Sequence, residues 1–348
     1  METSSNNPST NKLGSGLAET DVLDAVSKSG YPLQTIVSDY FRSQFHVQEE
    51  WSYIDKDAQE LRTIDILAEK WLYDFTQEQP RVRPTLDLLV ECKQSTLPYV
   101  FFLSSSKPQV PHFPLLAGLF KHTLILTTDD DASSFELPIL RALGLESHPF
   151  IAEEPEYCMS FSKCVRKGSD VELSGSESFH GLVLPILKAM HYFQIAESPP
   201  KTALYFDCHL AIGIGIIGAP MVGVRVSDES HDLTLLPWVR VVRHETDEIS
   251  DWQHWTRLFA IDIIHKDFLK DYLDKHVLPF AQEFSKLVIK HQQVLASGEA
   301  FATGMAKYGL HEIEQRLEPR RMSARVSRSK IIGKNVFRFL TGRKPIGE

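Results

Sequence analysis

The chain has 348 residues, 43% of them hydrophobic and 24% charged, enough for one large domain or two ordinary ones with a substantial core. That balance excludes collagen-like, fibrous and wholly disordered chains. A net charge of −9 argues against a nucleic-acid partner for the body of the chain, and four scattered cysteines without a Cys-x-x-Cys pair argue against a disulfide framework or a structural zinc site.

The polar opening METSSNNPSTNKLGSG lacks the apolar run of a secretory signal, so residues 1–20 are expected to be unstructured and the setting reducing and cytoplasmic. A helix is expected over Asp21 to Ser27. A second opens at Tyr31-Pro32, where proline suits the first turn, with Leu33, Ile36, Val37, Tyr40 and Phe41 on one apolar face. Strands follow at Val47 to Ile54, Leu61 to Asp74 and Leu86 to Lys93, the last after a loop holding Pro80 and Pro84. The run Leu88-Leu89-Val90 suits a strand covered on both faces.

Tyr99 to Leu103 extends that sheet. Phe113 to Leu145 reads as helix, strand, acidic turn (Asp129, Asp130, Asp131) and helix, and Glu153 to Glu177 as polar and irregular. Phe179 to Phe193 is a helix, and strands are expected at Ala203 to Asp207, Met221 to Val226, Leu235 to Val242 and Leu258 to Ile264. The most apolar stretch, Leu210 to Val226, reads as strand, turn and strand. A membrane helix is the alternative, opposed by Pro220 and four glycines. A long helix begins near Lys266 and runs past Leu295, kinked at Pro279. This order is an α/β or α+β pattern around a mixed sheet.

The chemistry concentrates in two apolar runs, Ile64-Asp65-Ile66-Leu67 and Leu88-Leu89-Val90-Glu91. A carboxylate so flanked is costly unless it is paired or holds a metal. If the two strands are antiparallel neighbours, Asp65 and Glu91 converge. Two carboxylates, a carbonyl and water make an oxygen-rich site suited to Mg²⁺. Lys93 lies two positions after Glu91 and so on the same strand face, where it can orient water or neutralise charge on a phosphate. A salt-bridged pair of strand acids beside a structural lysine gives the same pattern.

GYPLQTIVSDYF, an acid-rich strand, RTIDILA and LLVECKQS together resemble the PD-(D/E)xK, restriction-endonuclease-like nuclease superfamily, in its Mrr-like or resolvase-like branches. The resemblance covers about residues 30 to 105 with its motifs, and the core helix and strand up to about residue 210, and implies an αβββαβ core with a mixed central sheet flanked by helices, here extended by more strands and a long C-terminal helix. It implies a Mg²⁺-dependent endonuclease, with Mn²⁺ as the substitute ion, acting on nucleic acid and on DNA first. In that pattern Asp65 and Glu91 are metal ligands, the Cys92 carbonyl a third, Lys93 the catalytic lysine and Gln94 an auxiliary polar group. Many relatives carry a glutamate on the first helix where this chain has Gln34; Asp39, Glu49 or Glu50 are the acids that can compensate. A nuclease-like binding module with impaired catalysis is the alternative function. The domain reading is a nuclease domain over residues 21–300, with an insertion around 105–177, and a basic tail over 301–348.

From Pro319 onward nine basic residues face the single acid Glu348, which sets a basic tail on an acidic body. Arg320, Arg321, Arg325, Arg328 and Lys330 are candidate nucleic-acid contacts, and a solvated tail is the other reading. A homodimer or protein partner is a further expectation, and a membrane span is not. Asp262 in the run FAIDII echoes Asp65 but has no Glu-x-Lys partner and is expected to be structural. Trp238, Arg240, Trp252 and Trp255 could stack on bases, but suit a core or rim. The fourteen histidines form no HxH or HExxH motif.

Overall fold

The computed structural model describes residues 4–76, 79–110, 112–128, 133–244 and 258–319. Two helices, α1 (Glu19–Lys28) and α2 (Tyr31–Arg42), lead into three strands, β1 (His46–Ile54), β2 (Leu61–Trp71) and β3 (Val82–Gln94). Pro32 sits in the first turn of α2, where its missing N–H costs nothing. Leu33, Val37 and Phe41, one turn apart, form its buried stripe, each contributing about 1.5–3 kcal/mol. Ile36, expected on that stripe, is 67% exposed: the stripe is narrower than the apolar spacing suggested.

β1, β2 and β3 pair antiparallel in sequence order. β3 is longer than expected and contains Pro84. Opposite it, Leu72 donates its N–H to the Pro84 carbonyl at 3.0 Å, and the Leu72 carbonyl, which the missing proline N–H would have met, accepts the Ser285 hydroxyl at 2.6 Å instead. After β3 come β4 (Tyr99–Leu103), β5 (Leu115–Ala117), β6 (Thr123–Thr128) and β7 (Ser134–Pro138). The first helix expected after Phe113 is thus strand β5, and the second is a single turn, Ile139–Ala142. The stretch expected to be irregular forms a hairpin, β8 (Tyr157–Lys167) and β9 (Asp170–Ser174). β9 is polar and exposed, and the buried residues of β8, Tyr157, Cys158, Phe161 and Cys164, do not follow the alternation by which a strand is read.

A π-turn over Phe179–Val183 and a helix over Leu184–Ala196 precede β10 (Phe206–Gly218). The strands expected at Ala203 to Asp207 and from Leu210 are this one strand, buried nearly throughout. β11 (Met221–Val226), β12 (His231–Leu235), β13 (Trp238–His244) and β14 (Leu258–His265) follow. Pro237 separates β12 from β13, so Leu235 belongs to the former. The expected long helix is broken: a π-turn over Leu273–Val277 precedes Leu278–Lys290, whose first turn holds Pro279, and Gln292–Ser297 is separate.

The main sheet runs β1-β2-β3-β10-β14-β13-β8-β4-β11-β12 and is mixed, with β10 parallel to both β3 and β14. Alternate residues of β3 and β10 face two apolar clusters. Leu86, Leu88 and Val90 pack with α2 and the Leu278–Lys290 helix, and Leu89 packs with the Leu184–Ala196 helix on the other face. The fold is therefore a mixed α/β architecture, a large mixed sheet flanked by helices. Residues 299–319, partly assigned to the tail by sequence, add β15 (Glu299–Ala302) and β16 (Leu317–Pro319) to β6 and β7 in a second small sheet. Among the described residues no helix is long and apolar enough to cross a membrane, and Leu210 to Val226 is strand, turn and strand.

Candidate active site

The β2–β3 ladder runs from Trp71–Thr85 to Ile66–Val90 and stops there. Ile64 and Ile66, two residues apart, should share a face. Instead Ile66 packs in the α2 cluster and Ile64 in the cluster on the opposite face. β2 turns over at Asp65. The neighbouring strand turns with it: Glu50 lies between the Glu49–Ile66 and Trp51–Ile64 pairs and has φ +51°, a left-handed backbone that non-glycine residues rarely adopt.

This turn brings the Asp65 side chain, rather than its carbonyl, to β3. Asp65 Oδ2 accepts the Cys92 backbone N–H at 2.7 Å. The Asp65 backbone beside the Glu91 carboxylate favours its charged form. An extended residue aims its N–H and C=O at the same neighbour, so the Cys92 carbonyl faces the gap that holds the Asp65 carboxylate. Gly30, at the head of α2, approaches from above: a Cβ there would lie 3.8 Å from the Cys92 oxygen. Lys93 Nζ donates to Glu91 Oε1 at 2.5 Å. The expected group of Asp65, Glu91, Cys92 and Lys93 is thus together.

Burial sets the electrostatics. It pushes the Glu91 carboxyl up to about 7, with Lys93 opposing and Asp65 reinforcing the rise. Asp65 is also raised by burial, against the Cys92 N–H and Lys93, with Glu50 adding to the rise. Burial drives the Cys92 thiol far above its usual range, and its side chain packs in the apolar α2 cluster.

Gln34 reaches the group from α2. It is 6% exposed, and its Nε2 donates to Glu50 Oε1 at 2.7 Å and to the Asp65 carbonyl at 3.3 Å. Of the three acids considered as compensators, Asp39 and Glu49 are both taken by Arg42, the former at 2.6 Å. Glu50 alone is bound to Gln34. Nothing in the sequence separates Glu50 from Asp39 and Glu49, because its place depends on a left-handed backbone inside a strand. Gln94 is not brought to the carboxylates. It lies over β10, where a Cβ on Gly218 would meet its Oε1 at 2.1 Å.

The other candidates separate from this group. Asp262 is fully buried, held by Arg240 through Nε at 2.6 Å and Nη2 at 3.0 Å and by the Tyr272 hydroxyl at 2.8 Å. Arg240 and Trp238 are core residues, not base-stacking ones. Trp252, Trp255 and the tail residues Arg320, Arg321, Arg325, Arg328 and Lys330 lie outside the described residues. Clefts lined by His112 and His122, and by Arg141 and Glu146, share no residue with the Asp65 group.

Among the described residues no three His, Cys, Asp or Glu side chains are grouped to hold a metal ion. The candidate donors at Asp65 are two carboxylates and a carbonyl. Such a set suits Mg²⁺, which binds proteins through one or two carboxylates and keeps several waters. It does not suit a closed zinc site, which needs four nitrogen or sulfur donors. No protein-family model, curated protein or solved structure matches the chain.

Proposed function

We propose that the protein is a metal-dependent nuclease that hydrolyses phosphodiester bonds, DNA first among its substrates, through Asp65, Glu91 and Lys93. The observation that carries this reading is the Asp65–Cys92 hydrogen bond at the end of the β2–β3 ladder. It sets an acid from each strand, a carbonyl and a lysine at one point of the sheet. The order α2, β1, β2, β3, helix Leu184–Ala196 and β10, with β10 parallel to β3, agrees with the αβββαβ core of PD-(D/E)xK enzymes and supports the same reading.

Asp65 and Glu91 would hold a Mg²⁺ or Mn²⁺ ion together with the Cys92 carbonyl. When bound, that ion supplies a lowered water pKa and neutralises charge on the phosphoryl group. The protein's own groups do the rest. Lys93 keeps Glu91 oriented and has further N–H donors for the attacking water or a phosphate oxygen. The Cys92 N–H fixes the Asp65 rotamer before substrate arrives, which spares reorganisation during the reaction. The basic stretch from Arg320 to Lys330 would add phosphate contacts to an otherwise acidic surface. A reducing cytoplasmic setting belongs to the same proposal and suits four free, buried cysteines.

The test is cleavage of plasmid, linear and single-stranded DNA and of RNA, with Mg²⁺ or Mn²⁺, alongside Lys93→Ala. Cleavage that depends on both ion and Lys93 is expected; cleavage that survives Lys93→Ala sinks the assignment. Binding without cleavage would identify the alternative, a nuclease-like binding module, which the uncharged Gln34 favours.

A further inference from the structure

We infer that Glu50 supplies the negative charge that the site lacks at Gln34, acting one hydrogen bond outside the inner pair of Asp65 and Glu91. The inference rests on the metal-site reading above. Three placements carry it. Glu50 stands directly across the β1–β2 pairing from Asp65, between the Glu49–Ile66 and Trp51–Ile64 pairs. Its backbone is turned to φ +51° at the point where both strands turn over, so this residue departs from the regular strand and its flanking neighbours do not. Gln34 then ties the two together, donating through one Nε2 to the Glu50 carboxylate and to the Asp65 carbonyl.

The chemistry follows from that tie. A neutral amide on α2 cannot balance a divalent cation, but it can hold a carboxylate beside one. Glu50 does not join Asp65 and Glu91 as a three-carboxylate group among the described residues. Its place is therefore the outer one, accepting hydrogen bonds from water carried by the cation while Gln34 fixes its orientation. Outer partners of this kind commonly set metal affinity by about an order of magnitude. The alternative acids are spoken for, since Arg42 neutralises both Asp39 and Glu49. The charge has moved from the helix to the edge strand, and Gln34 marks where it left.

Calorimetric Mn²⁺ titration of the full chain tests this in four forms: wild type, Glu50→Gln, Glu50→Gln with Gln34→Glu, and Asp65→Asn. Glu50→Gln keeps an oxygen acceptor for Gln34 and removes only the charge. It should weaken Mn²⁺ binding about tenfold, and the charge swap with Gln34→Glu should recover most of that loss. Far-ultraviolet circular dichroism checks that each form is folded. Wild-type affinity in Glu50→Gln, with binding abolished in Asp65→Asn, overturns the role of Glu50 alone. A loss in Glu50→Gln that the swap leaves in place overturns it too, since position and not charge would then matter. No Mn²⁺ binding by the wild type, or equal binding by Asp65→Asn, sinks the metal-site reading and this inference with it.

Discussion

Asp65 Oδ2 accepts the Cys92 backbone N–H at 2.7 Å, in the place where a β2 carbonyl would have continued the ladder. The side chain is therefore part of the sheet's hydrogen bonding as well as of the candidate site. The two roles separate by substitution. Asp65→Asn keeps an acceptor for Cys92 and removes a buried charge, so stability should hold while cleavage is lost. Asp65→Ala strands the Cys92 N–H and should cost about 1–3 kcal/mol in urea unfolding. Equal stability of the two variants would show that the bond carries no structural weight.

Glu91 should give the metal-free chain an inverted pH dependence. Its folded pKa, about 7, lies above the usual 4.5, so the folded state binds the proton more tightly than the unfolded one. Its contribution is fully present below the unfolded pKa and is lost as pH rises toward and through about 7. The loss should amount to up to about 3 kcal/mol, and Glu91→Gln should remove it. His209 titrates in the same sense, raised by its hydrogen bond to Asp87 against the pull of burial, so the difference between wild type and Glu91→Gln removes that background and reports Glu91 together with its interaction with Asp65. Urea unfolding at several pH values is the measurement. Metal binding runs the other way: below about 7 the affinity should fall about tenfold per pH unit, with one proton released per ion bound.

Lys93→Ala should lower turnover by about 10²–10⁴ while leaving the fold intact, the range expected for removing a positioned proton-handling or charge-stabilising group. Lys93 is part-exposed and bonded only to Glu91 among the contacts described, so its loss opens no core cavity. Single-turnover cleavage at saturating Mn²⁺ reads the effect. A change confined to substrate affinity would place Lys93 in binding rather than chemistry.

Asp262→Ala should behave in the opposite way. It leaves the fully buried Arg240 guanidinium without its carboxylate, a loss of about 3–5 kcal/mol. Thermal unfolding should show it plainly, and the folded fraction should retain wild-type Mn²⁺ affinity. Weakened metal binding in folded Asp262→Ala would tie this ion pair to the candidate site after all.

The inner members of the site were legible because acids in the middle of apolar runs are expensive and therefore conspicuous. Asp65 and Glu91 stood out on that ground, Lys93 by its place two residues after Glu91 on the same strand, and an antiparallel pairing of the two strands was the arrangement expected to bring them together. The two devices that shape the site were not legible. Alternation in Ile64-Asp65-Ile66 predicts that both isoleucines share a face, and nothing in the residues announces that the strand turns over between them. Glu50 carries no mark of its left-handed backbone either, since glutamate is not a residue that favours it. Asp262, in an equally apolar run, shows the limit of the same logic: its partner is an arginine on β13 that only the sheet register could reveal. In the hairpin, β9 escaped because an exposed strand lacks an apolar face to read, and β8 because its buried residues Tyr157, Cys158, Phe161 and Cys164 do not alternate.

The sheet also has an order in time. α2, β1, β2 and β3 follow one another along the chain and pair with their immediate neighbours, so the group around Asp65 closes only short loops. Beside β3, in contrast, the partner is β10, and the Arg83–Asp207 contact between them joins residues 124 apart in sequence. Closing that loop is the slower step, because the chain entropy is lost before the contacts form. As the chain is made, the carboxylates can meet on a three-stranded sheet whose β3 edge is still open. Their full burial, and the raised protonation that comes with it, belongs to the completed sheet, in which β10 pairs with β3 along its whole length.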